Sequence, residues 1–242
     1  MEQEARWLFE EKYGGAECEA FRADVLRLAA GEPLAYVIGW IPFCHARISL
    51  DSHPLIPRPE TEFWVMQAIA ELKTQNQESL RVLDLCAGSG CIGIAVLKEL
   101  PNATCDFVEI DETHHKTILK NAKENGIDED RIKIIGGNLF EQVQGTYDAI
   151  LTNPPYIDPN LSGRVQESVL HHEPEQALWG GQDGMELITE ILQKAPDFLN
   201  PNGVLYIEHE PEQETMLHKI LPGIVSYKDQ YDLMRFSVYR KG

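Results

Sequence analysis

No stretch of this 242-residue chain approaches the roughly 20 consecutive apolar residues that a membrane-spanning helix needs. Its first residues, Met1 to Arg6, lack the basic and then apolar regions of a secretory leader, so a cytoplasmic protein with no membrane partner is expected. The five cysteines, Cys18, Cys44, Cys86, Cys91 and Cys105, contain no CxxC pair, which argues against a zinc site and a disulfide framework. The histidine pairs, His114-His115 and His171-His172, are adjacent instead of a helical turn apart; surface positions and no metal are expected. Basic residues are scarce. With 21 Lys and Arg against 39 Asp and Glu, the formal charge is -18, and the basic residues do not cluster. Such a chain repels phosphate backbones, so nucleic acid is a poor partner and a neutral or basic protein surface a better one. There is no internal repeat and no low-complexity segment.

What is present is unusual chemistry at a strand end. Tyr147 to Leu151, apolar but for Asp148, reads as a buried strand, and Thr152-Asn153-Pro154-Pro155-Tyr156 follows it. Two prolines cannot donate backbone hydrogen bonds, so the chain leaves the ladder here with carbonyls free to accept. The Asn153 side-chain oxygen and the Pro154 carbonyl can together accept both hydrogens of a planar NH2 group, and Tyr156 offers an aromatic face to its plane. The guest that suits such an edge is an amide or an exocyclic amine. Taken alone, the tripeptide also reads as a proline-rich turn closing a strand.

Ahead of it, Gln3 to Tyr13 and Glu17 to Ala30 carry apolar residues at helical spacing, separated by Gly14-Gly15; Gly31 and Pro33 stop the second helix. Tyr36 to Leu55 alternates aromatic and β-branched residues and reads as an extended hairpin or linker. Prolines at 54, 57 and 59, followed by acids, open a helix through Phe63, Val65, Met66, Ile69 and Leu72. Strands and helices then alternate: strand 81–85, helix 91–99, strand 104–110, helix 113–125, strands 132–136 and 147–151, helix 186–199, strand 204–208. This pattern predicts a parallel sheet with helices on both faces, and strands 225–228 and 234–240 predict an antiparallel edge. Three regions follow: residues 1–35, short and helical; 36–58, hairpin and linker; and 59–242, the α/β domain.

Val82 to Gly93 is a buried strand running into a glycine-rich turn and a helix, with Gly88, Gly90 and Gly93 in the pattern G-x-G-x-x-G. Glu109, ending the next strand, is an acid suited to two ribose hydroxyls. The pattern admits a dinucleotide fold, an S-adenosylmethionine fold or a purely structural turn. The Asn153 to Tyr156 edge decides between them, because an amine or amide methyltransferase requires an NH2-accepting edge and a dehydrogenase does not.

From about Glu32 to the C-terminus the chain resembles the HemK/PrmC family, S-adenosylmethionine-dependent N5-glutamine methyltransferases of peptide chain release factors. The resemblance is carried by Glu32 to Gly39, by Ile56-Pro57-Arg58-Pro59-Glu60-Thr61-Glu62, by Asp84 to Gly93 and by Asn153 to Ile157. Glu173-Pro174, Ala177-Leu178, Gly180-Gly181-Gln182-Asp183-Gly184 and Asp232 to Arg235 complete it, in order. It implies a Rossmann-like class I methyltransferase fold, a mostly parallel seven-stranded sheet with an antiparallel C-terminal hairpin, plus a small N-terminal helical region for substrate docking. It implies S-adenosylmethionine as cofactor, with S-adenosylhomocysteine as product, contacted by Cys86, Ala87, Gly88, Ser89, Gly90, Glu109, Asn138, Leu139 and Asn153. Asn153, Pro154, Pro155 and Tyr156 are the implied catalytic motif, the glutamine of a release factor's Gly-Gly-Gln loop the substrate, and a monomer the working form.

The chain departs from the family at Cys86, where a glycine is usual, at Glu109 in place of aspartate, at Asn138 in place of an acid, and at Glu210 in place of glycine. The N-terminal helical domain reads as shortened to about thirty residues. Gly180-Gly181-Gln182 spells the acceptor tripeptide of release factors but falls in the family's own turn. The same edge chemistry also suits glutamine methylation of a ribosomal protein or adenine-N6 methylation of nucleic acid; charge disfavours the latter. A non-catalytic binding module would keep the pocket without the intact Asn153 to Tyr156 motif.

Overall fold

The computed structural model describes residues 2–75 and 78–242; Met1, where the expected N-terminal region and the leader reading begin, lies outside them. Two helices, α1 (Glu2–Glu11) and α2 (Glu19–Ala29), pack with α3 (Leu34–Ile38) around the small cluster Leu8, Leu28 and Val37. Tyr36 to Ile38 is therefore helical, where an extended segment was expected from its aromatic and β-branched residues. Pro33 presets the helical entry, and Gly39, at φ 95°, ends the turn in the left-handed conformation that glycine adopts freely. The hairpin β1 (Trp40–Phe43) and β2 (Ala46–Ser49) follows as expected, and its buried Phe43, Ala46 and Ile48 join the main core.

Helix α4 (Pro59–Thr74) leads into the sheet: β3 (Leu80–Leu85), α5 (Cys91–Glu99), β4 (Ala103–Glu109), α6 (Glu112–Glu124), β5 (Ile132–Gly136), β6 (Tyr147–Thr152), α7 (Glu167–His172) and α8 (Glu186–Lys194). Then come β7 (Leu199–Glu208), α9 (Glu214–Ile220), β8 (Val225–Lys228) and β9 (Met234–Arg240). The seven strands lie in the order β5-β4-β3-β6-β7-β9-β8, parallel from β5 to β7 and antiparallel at the β7-β9-β8 edge. Alternation along the buried strands feeds two layers. Val82, Ala149, Leu151 and Tyr206 face a core with α4 and α5, while Leu83, Leu85, Ile150 and Leu205 face one with α8 and α9.

Strand order reverses between β3 and β6, and ligands of open α/β sheets bind at such a point, beyond the carboxyl ends of the strands. Leu85 pairs with Thr152 there, and the Thr152 hydroxyl donates to the Leu85 carbonyl at 2.7 Å. Gly93 lets α5 lie close on β4: a Cβ would sit 2.4 Å from the Phe107 ring.

The helix expected over 186–199 ends at Lys194, because Pro196 has no N–H to continue the ladder; a tight turn over Ala195–Phe198 precedes Leu199. His114, expected on the surface, is buried, with Nδ1 2.8 Å from the Ser52 hydroxyl. No helix among the described residues is long and apolar enough to cross a membrane.

Candidate active site

The turn after β3 bends sharply, with Cys86 at φ 60°, Gly88 at 53° and Gly90 at 76°. Its amides are tied off locally: Gly90 N–H donates to the Ala87 carbonyl at 2.7 Å and Ala87 N–H to that of Val108 at 3.0 Å. Helix α6 holds the turn from outside through Asn121, whose side-chain N–H donates to the Ser89 carbonyl at 2.9 Å. Glu109, at the end of β4, accepts from the Gly88 amide at 2.6 Å and the Asp111 amide at 2.9 Å. A cavity of about 560 Å³ opens here, bordered by Cys86, Gly88, Glu109, Asn138, Leu139 and Asn153. Ala87, Ser89 and Gly90, expected among the contacts, are buried within the turn and do not border it.

Asp84, one strand position before Leu85, is fully buried; Oδ2 accepts from the Gly93 amide at 2.8 Å and Oδ1 has no partner. Burial pushes this carboxyl up to about 8, opposed by the Gly93 bond and helped by the nearby Glu109. A folded pKa above the unfolded one means that the folded state keeps a proton that the unfolded chain has lost. Stability from this group is then intact below about pH 4, falls as pH rises, and stops falling near 8. Asp84→Asn should remove a slope of about 1.4 kcal/mol per pH unit in that window, read from urea midpoints at pH 5 and 7.5. Equal slopes in both proteins would refute the assignment.

A second cavity, of about 640 Å³, adjoins the first. Asn153 and Leu55 border both; Pro155 faces the first, and Pro154 and Tyr156 the second. Of the two residues predicted as an acceptor edge, Asn153 borders both spaces and Pro154 the second alone. Tyr156 O–H donates to Glu208 Oε1 at 2.9 Å, and burial beside that carboxylate raises the phenol well above its usual range, so it stays protonated. Thr61 O–H and Trp64 Nε1–H both donate to Glu208 Oε2 at 2.7 Å, and Asn153 Nδ2 donates to Thr61 Oγ1 at 3.1 Å. Burial raises the Glu208 carboxyl; its three donors pull the other way.

The backbone of the motif is buttressed by the Gly180 to Gly184 turn. A Cβ at Gly184 would lie 2.0 Å from the Tyr156 carbonyl, and one at Gly180 2.7 Å from that of Pro155. Gln213 Nε2 donates to the Tyr156 carbonyl at 2.9 Å. Glu210, the unexplained departure, closes a reciprocal cap with Gln213, whose Oε1 accepts from the Glu210 amide at 2.9 Å. Arg58 reaches buried Glu173 at 2.6 Å, and the Ile56 amide donates to the same carboxylate at 3.0 Å. Arg58, which borders the larger cavity, and the backbone beside it are thereby pinned to Glu173. Sequence reading missed the roles of Thr61, Trp64, Glu208 and Gln213; the one available signal was a carboxylate ending an otherwise apolar strand.

Residues 67–182 match the family model described as the methyltransferase small domain. Among solved structures, the Thermus thermophilus 16S rRNA N2 G1207 methyltransferase superposes with a TM-score of 0.59 at 18% identity, over 84% of this chain and 50% of that one. A ribosomal protein L11 methylase from Lactobacillus delbrueckii gives 0.55 at 17%, over 78% and 82%. The fold is that of the S-adenosylmethionine-dependent methyltransferases. The release factor glutamine methyltransferase of Rhodopirellula baltica is 37% identical over 79% of this chain and 66% of its own length. The same-named protein of Geobacter sulfurreducens is 35% identical over 83% and 68%, and that of Streptococcus pneumoniae 32% over 93% and 81%. The chain belongs to the release factor glutamine methyltransferase family, and it spans about two thirds of the length of the first two of these relatives.

Proposed function

We propose that this chain transfers a methyl group from S-adenosylmethionine to the side-chain amide nitrogen of the glutamine in the Gly-Gly-Gln loop of a peptide chain release factor. The observation that carries the reading is the meeting of two cavities at Asn153, with Pro154 on one side and Pro155 on the other. The smaller cavity suits the cofactor in its donor set. Glu109 is a carboxylate for the ribose diol, Asn138 an amide for the adenine amine, and a Cβ at Gly88 would meet nothing within 4 Å, so the turn leaves room for close approach. Ala87, Ser89 and Gly90 shape that turn, and Leu139 adds apolar wall.

When bound, S-adenosylmethionine supplies an electrophilic methyl group on a sulfonium sulfur and leaves as S-adenosylhomocysteine. The chain's own work is positioning. An amide nitrogen is a weak nucleophile because its lone pair is delocalised, so rate comes from holding it in line. The Asn153 oxygen and the Pro154 carbonyl accept from the NH2 group and favour the positive charge that develops on nitrogen. Tyr156, its hydroxyl engaged by Glu208, contributes its ring face. The substrate nitrogen becomes acidic as its new bond forms, and its proton leaves to water or a nearby carbonyl. Residues 59–242 form the catalytic unit in this reading, residues 1–35 dock the protein substrate, and the linker contributes Leu55 and Arg58 to the site.

The test is incubation with methyl-labelled S-adenosylmethionine and a purified release factor, followed by peptide mass spectrometry. A methyl group on the Gly-Gly-Gln glutamine is expected. Cofactor binding with an unmodified factor, under conditions where a known relative methylates it, would overturn the acceptor assignment.

A further inference from the structure

The amide of Asn153 has two orientations of nearly equal shape, and only one presents an acceptor to the incoming NH2 group. What selects it lies behind the cavity walls, in Glu208, which is 1% exposed, and Thr61, which is 2% exposed. Neither residue borders either cavity. Glu208 receives Thr61, Trp64 and Tyr156, and three donors converging on two oxygens is the pattern of an ionised carboxylate. The indole N–H can only donate. The Thr61 hydroxyl has a single proton, and it is committed to Glu208 at 2.7 Å. Only oxygen lone pairs of Thr61 therefore remain for Asn153, and they accept from Nδ2 at 3.1 Å. Reversing the amide would oppose two oxygens with no proton between them. Polarity runs from Asn153 through Thr61 to Glu208, and its outer end is the Asn153 oxygen.

We propose that Thr61, held by Glu208, is a positioning residue that locks the Asn153 oxygen toward the acceptor, so that the site takes an NH2 donor and rejects groups that only accept. The inference rests on reading the site as an amide-nitrogen methyltransferase, and it assigns a task to two residues that touch neither substrate nor cofactor. It also explains why a threonine stands at the first turn of α4: the hydroxyl must both donate and accept, which valine of the same shape cannot do.

Thr61→Val is expected to lower kcat roughly 10- to 100-fold, the size of one misdirected hydrogen bond in a buried site, with cofactor affinity within about twofold of wild type by calorimetric titration. Thr61→Ser should regain most of the loss. Because Thr61 acts through Asn153, adding Thr61→Val to Asn153→Ala should cost little beyond Asn153→Ala alone. A full additional loss in that background, or wild-type turnover in Thr61→Val, would overturn the proposal. An orientation measurement independent of turnover uses protein labelled with ¹⁵N at asparagine. A nuclear Overhauser effect from the Asn153 side-chain amide protons to the Thr61 methyl group is expected in the wild type, and its absence would also overturn the proposal. If that effect is present while the wild type fails to methylate a release factor, the locked orientation is supported and the acceptor assignment is what falls.

Discussion

Asn153→Ala should lower methyl transfer to the release factor by about 10²- to 10³-fold, the usual loss when one preorganised partner of a developing charge is removed. Cofactor affinity should change little, because the polar anchors proposed for the cofactor, Glu109 and Asn138, belong to β4 and to the segment after β5. Asn153 borders both cavities, and alanine leaves Thr61 without its donor as well. Single-turnover transfer with saturating cofactor isolates the chemical step from binding. A variant that keeps most of its turnover would remove the claim that this edge holds the substrate amide.

Glu109→Ala should act on the other side of the junction, raising the cofactor Kd by roughly 10- to 100-fold for the loss of charge-assisted hydrogen bonds to the ribose. The effect has two sources, since the same carboxylate accepts from the Gly88 and Asp111 amides and so shapes the turn it faces. Glu109→Gln keeps the length and one acceptor, and an intermediate Kd is expected for it. At saturating cofactor the kcat of Glu109→Ala should stay near wild type, the reverse of the Asn153 pattern. Calorimetric titration with an unchanged Kd would refute the ribose assignment.

Much of this could be read along the chain because the physics is local. Buried strands such as Val82 to Leu85 and Tyr147 to Leu151 are apolar but for one aspartate each, and glycines at 88, 90 and 93 mark a tight turn and a closely packed helix. Asn153 and the two prolines declare an acceptor edge by their own valence. Misreadings occurred where neighbours overrode the local signal. Tyr36 to Ile38 became helical because Pro33 and Gly39 bracket one turn, and Pro196 ended α8 early. His114 is buried because Ser52 of a distant loop meets it.

The sequence by itself determined the alternating α/β order, the glycine turn, the acid that ends β4 and the Asn-Pro-Pro-Tyr segment that follows β6, since each follows from residues adjacent in the chain. Only the tertiary structure decided that Asn153 stands between two cavities and that its amide is oriented through Thr61 to Glu208, 147 residues further along. The physical reason is that a hydrogen bond specifies an atom pair and a direction. Residue types announce who can donate and who can accept, but which lone pair is left over is settled only when the sheet brings β6, β7 and α4 together.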